Sequence, residues 1–98
     1  MNQQGFFDAL TKYHAIPEPL NETTAVLCYE VGKMMEQVMY MKWHPEDYKV
    51  RMGFYKSEVM DAIAQLVLIC ASINVDFEEM KELGIEKAME RFTKKERK

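Results

Sequence analysis

The sequence predicts an all-α fold: an antiparallel bundle of three major helices with a short helix at the N-terminal end. Apolar residues recur at steps of three and four along most of the chain, and no stretch alternates strictly. Helix-breaking stretches fall at 16–19, at 43–46 and at 74–76, close enough together to make successive helices antiparallel neighbours. No internal repeat or low-complexity segment interrupts this pattern.

The 98 residues are read as one domain, 1–98, able to bury roughly 60–70% of the surface its unfolded chain exposes. With 48% hydrophobic and 30% charged residues, the composition is that of a folded soluble protein. Net charge is −3, but the tail 93–98 is basic. Without it, 9 basic residues face 15 acidic ones. So acidic a body is a poor partner for nucleic acid, and none is expected. No apolar run reaches the roughly 20 residues a membrane span needs, and the start MNQQGFFDAL lacks the basic and continuously apolar parts of a secretory leader. Cys28 and Cys70 lie in separate apolar helical runs and read as two small buried hydrophobes. A cytoplasmic location is expected, with no membrane.

In chain order, Phe6, Phe7, Leu10 and Tyr13 give 3–14 the spacing of a short packing helix. His14 is read as a polar residue at its frayed end in preference to a ligand. Ile16-Pro17-Glu18-Pro19 ends that helix. Asn21 is the expected N-cap of the second helix, 22–42, with Thr23 or Thr24 as alternatives. Leu27, Val31, Met34, Met35, Val38 and Met41 form its apolar stripe, and Glu30, Lys33, Gln37 and in part Glu36 its polar face. Pro45 suits the first position of a third helix, 45–73, which either runs through Gly53 or splits there. Asn74-Val75-Asp76 reads as a turn. Asp76 with Glu79 has the spacing of an N-cap and an acidic third position. The fourth helix, from Phe77, packs through Phe77, Met80, Leu83, Ala88 and Phe92, with a bend expected at Gly84 and a frayed end over 94–98.

The chemistry lies in the carboxylates. Glu58 and Asp61 stand three apart at the start of the apolar run 62–73, so they share a helix face at the rim of a core. An antiparallel neighbour brings Glu30 toward them. Carboxylates meeting at one spot repel unless a hard cation sits among them, and an all-oxygen donor set favours Mg²⁺ or Mn²⁺ over zinc. The plain alternative is a pair of solvated acidic faces. Trp43, Tyr40, Phe54 and Tyr55 border the break between the second and third helices. They are candidates for stacking a base, with core packing or a subunit interface as the plainer reading. The nine methionines fit a plastic core or helix–helix interface.

Glu30-Val31-Gly32-Lys33-Met34-Met35-Glu36 followed by Glu58-Val59-Met60-Asp61 resembles the MazG-like family of all-α nucleoside triphosphate pyrophosphohydrolases. That family's pattern is Glu-x-x-Glu and then, after a gap, Glu-x-x-Asp. Glu86-Lys87-Ala88-Met89-Glu90-Arg91-Phe92 is similar to its final-helix motif, Asn-x-Lys-Phe-x-x-Arg and variants. The resemblance covers 20–92 in the right order. It implies a MazG-like bundle completed by oligomerisation, as a homodimer or homotetramer, and hydrolysis of a nucleoside triphosphate to monophosphate and pyrophosphate. It also implies Glu30, Glu58 and Asp61 as catalytic metal ligands, with Mg²⁺ or Mn²⁺ as cofactor, and Lys87 and Arg91 as phosphate-binding groups. The bland reading of Lys87 and Arg91 is a solvated face with neighbours such as Glu86 or Glu90.

One position departs from the family. Its second acid falls on Lys33, and an ammonium cannot coordinate a metal. Three readings follow. Glu36, one turn on, supplies a displaced ligand; Lys33 stands in for one cation, pairing with Glu58 or Asp61 and contacting phosphate; or a Lys33–acid bridge replaces the metal in a catalytically impaired binding or assembly module. The family's asparagine is also missing near Lys87, where Ile85-Glu86 stand. An unrelated helical interaction protein is the remaining alternative.

Overall fold

The computed structural model of the chain describes residues 1–14 and 19–96, with the side chains of 13, 14, 19, 95 and 96 excepted. All regular structure among them is helical: α1 (Gln3–His14), α2 (Pro19–Trp43), α3 (Tyr48–Ser72) and α4 (Phe77–Glu96), with a 3₁₀ turn Pro45–Asp47 joining α2 to α3. No single helix among the described residues is long and apolar enough to cross a membrane.

The centre of the fold is the antiparallel pair α2 and α3. Pro45 opens the 3₁₀ turn, where its missing N–H costs nothing, and the chain reverses within it. Lys33 comes to face Glu58, and Tyr40 to face Arg51, so one register runs through the pair. The third helix does not split: α3 continues through Gly53 and is preceded by the 3₁₀ turn. Its end is a Schellman cap. Asn74 takes φ 60°, which asparagine tolerates better than most residues, and the N–H groups of Asn74 and Val75 donate to the carbonyls of Ala71 and Cys70.

Asp76 then caps α4 as expected, accepting from the Glu79 N–H at 3.0 Å. The Gln3 side chain locks this corner to α1: its Nε2 donates to the Val75 carbonyl, and its Oε1 accepts from the Phe77 N–H at 2.8 Å. From there α4 leaves at a bend of 106° from α3, with substantial packing against α3 alone.

Several expectations are corrected. α2 starts at Pro19, so Asn21, Thr23 and Thr24 lie inside it. Proline suits a first helical turn, and the buried Thr23 hydroxyl donates back to the Leu20 carbonyl. Val31, Met35 and Val38 are exposed, because α2 turns Thr23 and Glu30 inward with half-buried Leu27, Met34 and Met41. Apolar residues flank more than one side of α2, and periodicity alone does not choose among them. On α4, among the described side chains only Phe77 and Met80 are half-buried; Leu83, Ala88 and Phe92 are exposed, and the helix is continuous through Gly84. Cys70 is buried but Cys28 is exposed. The break at 16–18, the side chains of Tyr13 and His14, and the last two residues of the frayed tail lie outside the described residues.

The core is thin. Among the described residues, Ala62, Leu68 and Cys70 are the buried apolar side chains, and Leu68 alone is enclosed on all sides. The Cα radius of gyration is 16.7 Å, against about 13 Å for a globule of 100 residues.

Candidate functional site

The α2–α3 register places Glu30 half-way along α2, opposite the Glu58–Asp61 turn of α3. One oxygen from each of Glu30, Glu58 and Asp61 lies within 4.8 Å of the others. The group is graded in depth. Glu30 is 9% exposed, Glu58 is partly buried, and Asp61 is open to solvent. Oε2 of Glu30 and Oε2 of Glu58 are buried with no hydrogen-bond partner. An unmatched buried acceptor costs about 1–3 kcal/mol, more when it is charged, so two at one place need a physical account.

The electrostatics give the same account. Glu30 is held above the ordinary carboxylate range by hydrogen bonding with the Glu58 carboxyl, then by burial, then by the negative charges of Glu58 and Asp61; Lys33 opposes the rise. The Lys33 ammonium, 3.9 Å from Glu58 Oε1 and 4.9 Å from the Tyr29 ring centroid, is raised in turn, first by Glu58 and next by Tyr29. Local negative charge therefore exceeds what one lysine balances.

All three donors are oxygens, the set preferred by hard divalent cations. Around one Mg²⁺ at about 2.1 Å per ligand, neighbouring donors stand about 3 Å apart, so the carboxylates would close inward to share one ion, with waters in the remaining positions. The residues present fit a divalent cation: they offer orphaned acceptors, excess negative charge and the right donor type. Gln37, one turn beyond Lys33, also has a buried Oε1 without a partner. Sequence reading placed it on the polar face of α2 but gave it no role; its i, i+4 spacing from Lys33 was the available signal.

The other candidates lie elsewhere. Glu36 is outside the carboxylate group and lines an outer groove of α2 with Gly32, Met35, Met39, Tyr40, Trp43 and His44. Tyr40 and Phe54 flank Arg51, whose guanidinium carbon is 4.1 and 5.9 Å from their ring centroids. Trp43 is 67% exposed, with Lys42 over its ring. It stands about 20 Å along α2 from Glu30 at the helical rise per residue. Lys87 and Arg91 are exposed on α4, and neither forms an ion pair with a described carboxylate. The structure thus brings Glu30, Glu58, Asp61 and Lys33 together, and leaves Lys87 and Arg91 apart from them on a departing helix.

No protein-family model, curated protein or solved structure matches the chain.

Proposed function

We propose that this chain is a MazG-like nucleoside triphosphate pyrophosphohydrolase that depends on Mg²⁺ or Mn²⁺ and acts on a ribo- or deoxynucleotide. The observation that carries the reading is the convergence of Glu30, Glu58 and Asp61 with two buried oxygens left unpartnered. These three residues would hold the cation, which would neutralise phosphate charge and lower the pKa of the attacking water. A carboxylate oxygen left uncoordinated accepts the proton as that water adds to the α-phosphorus. The bond from the α-phosphorus to the oxygen bridging the α and β phosphates breaks, releasing nucleoside monophosphate and pyrophosphate.

Lys87 and Arg91 bind phosphate oxygens, Arg91 in a bidentate manner. Because α4 departs from its own helix pair, they serve the site of a neighbouring copy in a homodimer or homotetramer. The extended shape and the exposed Ile85, Met89 and Phe92 of α4 support that assembly. A cytoplasmic setting accompanies this reading, in keeping with the free thiols of Cys28 and Cys70.

The test is pyrophosphate release from a panel of ribo- and deoxynucleoside triphosphates with Mg²⁺ or Mn²⁺, beside Glu58→Gln. Turnover at least about 100-fold lower in the variant is expected. Equal traces in both proteins would sink the hydrolase. One observation favours a second reading, a catalytically impaired binding or assembly module of the same fold: Lys33 already engages Glu58. Wild-type silence across the panel, with turnover appearing in Lys33→Glu, would select it.

A further inference from the structure

We infer that the centre takes a single divalent cation per chain, and that the Lys33 ammonium, held on Glu58 Oε1, does the work of a second cation on the phosphate side. This deepens the reading of the carboxylate group as a cation site and rests on it.

Glu58 carries the argument, because its two oxygens have different environments. Oε1 is engaged by Lys33 at 3.9 Å, while Oε2 is buried and without a partner. The oxygen available to a metal is therefore Oε2. Glu30 supplies the independent sign of a missing ligand: its side chain is nine-tenths enclosed, yet its Oε2 meets no donor. One oxygen of each of Glu30, Glu58 and Asp61 lies within 4.8 Å of the others, the span over which one cation would draw them together. A second cation on the other side of Glu58 would have Oε1 as its carboxylate donor and an ammonium as its neighbour. Two positive centres at that range repel. Nor is there a spare donor set. Among the described residues no other group of three His, Cys, Asp or Glu converges, and Glu36 faces the outer groove.

Among the described residues, Lys33 is the one cation beside the three carboxylates, and it touches only the Oε1 side of Glu58. Position gives Lys33 its task. Its side chain is 39% exposed against 14% for Glu58, so the ammonium stands on the solvent side of the carboxylate it pairs with. A polyphosphate entering from solvent meets this charge at the mouth of the centre. Tyr29, one turn before Lys33, has its ring centroid 4.9 Å from Nζ, a cation–π contact that restrains the ammonium.

The experiment titrates Mn²⁺ alone into the nucleotide-free full chain, followed by the electron paramagnetic resonance of free Mn²⁺, and then adds inorganic triphosphate as the phosphate probe. Wild type is expected to bind one Mn²⁺ per chain. Lys33→Met is expected to keep that stoichiometry, bind Mn²⁺ about threefold to tenfold more tightly, and bind triphosphate about tenfold more weakly. Lys33→Arg restores triphosphate binding, and Lys33→Glu takes up a second Mn²⁺. Circular dichroism verifies that each variant is folded. Two Mn²⁺ per wild-type chain, none at all, or a Lys33→Met variant with both affinities unchanged would overturn the inference. A chain that binds one Mn²⁺ and hydrolyses no nucleotide loses the hydrolase and keeps this inference; two Mn²⁺ with turnover does the reverse.

Discussion

Replacing Glu30 with glutamine makes the metal-free protein more stable while removing its response to metal. Glu30 is 9% exposed, its Oε2 has no partner, and its charge stands within 4.8 Å of Glu58 and Asp61. Two like charges at that separation repel by about 1 kcal/mol in water and by about 3.5 kcal/mol at an effective dielectric constant of 20. Lys33 offsets part of this, so neutralising Glu30 is worth roughly 1–3 kcal/mol at neutral pH. For a domain of this size that raises Tm by about 5–15 °C. The sign in pH follows from the raised pKa of Glu30. The folded chain favours the protonated carboxyl, so the wild type has full stability from this group below its ordinary value of 4.5. It loses that stability as pH rises from 4.5 through the folded value, with Glu58, Asp61 and Lys33 as the charges facing the group. Thermal unfolding in a chelator, from pH 4 to pH 8, should therefore show the variant gaining on the wild type as pH rises. Mn²⁺ at 100 times its Kd stabilises the wild type by about 2.7 kcal/mol, and should leave Glu30→Gln unmoved. A variant less stable than wild type at pH 7 in chelator, or one still stabilised by Mn²⁺, would refute the reasoning.

Two further substitutions probe what holds the site in place. Gln3→Ala removes both hydrogen bonds that tie α1 to the α3–α4 corner. It should lower stability by about 1–3 kcal/mol and speed amide exchange in α1 and at Phe77; unchanged exchange would mean that the tie is incidental. Phe92→Glu, on the 63% exposed end of the α4 stripe, should shift sedimentation from an oligomer toward the monomer with little loss of helix. A wild type already monomeric at micromolar concentration would remove the assembly from the proposal.

The carboxylate group was legible in the sequence for a local reason. Three-residue spacing puts Glu58 and Asp61 on one face of a helix, and the break at 43–46 returns α3 antiparallel to α2 at a register that meets Glu30. The Asp76 cap and the turn at Asn74 were legible for the same reason, since each is a contact over three to five residues. The Gln3 tie was not, because it joins a side chain to backbone groups more than seventy positions away. The exposed side of α2 was also hidden. With Val31, Met35 and Val38 as apolar as Leu27, Met34 and Met41, the choice of inward face is made by α3 and not by α2. On α4, apolar spacing foretold a helix with a face to bury, but beyond Phe77 and Met80 its Leu83, Ala88 and Phe92 are exposed in a single chain.

The position of Glu30 is the strongest reason to look for a function in the α2–α3 pair. Ala62, Leu68 and Cys70 are the buried apolar side chains among the described residues, and a core so thin leaves little room for error. Yet a position nearly as enclosed as Ala62 and Cys70 holds a carboxyl whose Oε2 meets no donor and which faces two more acids. A leucine there would be cheaper for folding alone, because breaking even on a buried charge requires a well-matched partner. Lys33 is not that partner. It sits on the far oxygen of Glu58, at the solvent side, and leaves the deep oxygens unmet. Stability thus explains neither Glu30 nor the placement of Lys33. The proposed divalent cation, with the ammonium on its solvent side, would meet the orphaned oxygens and give Lys33 its place.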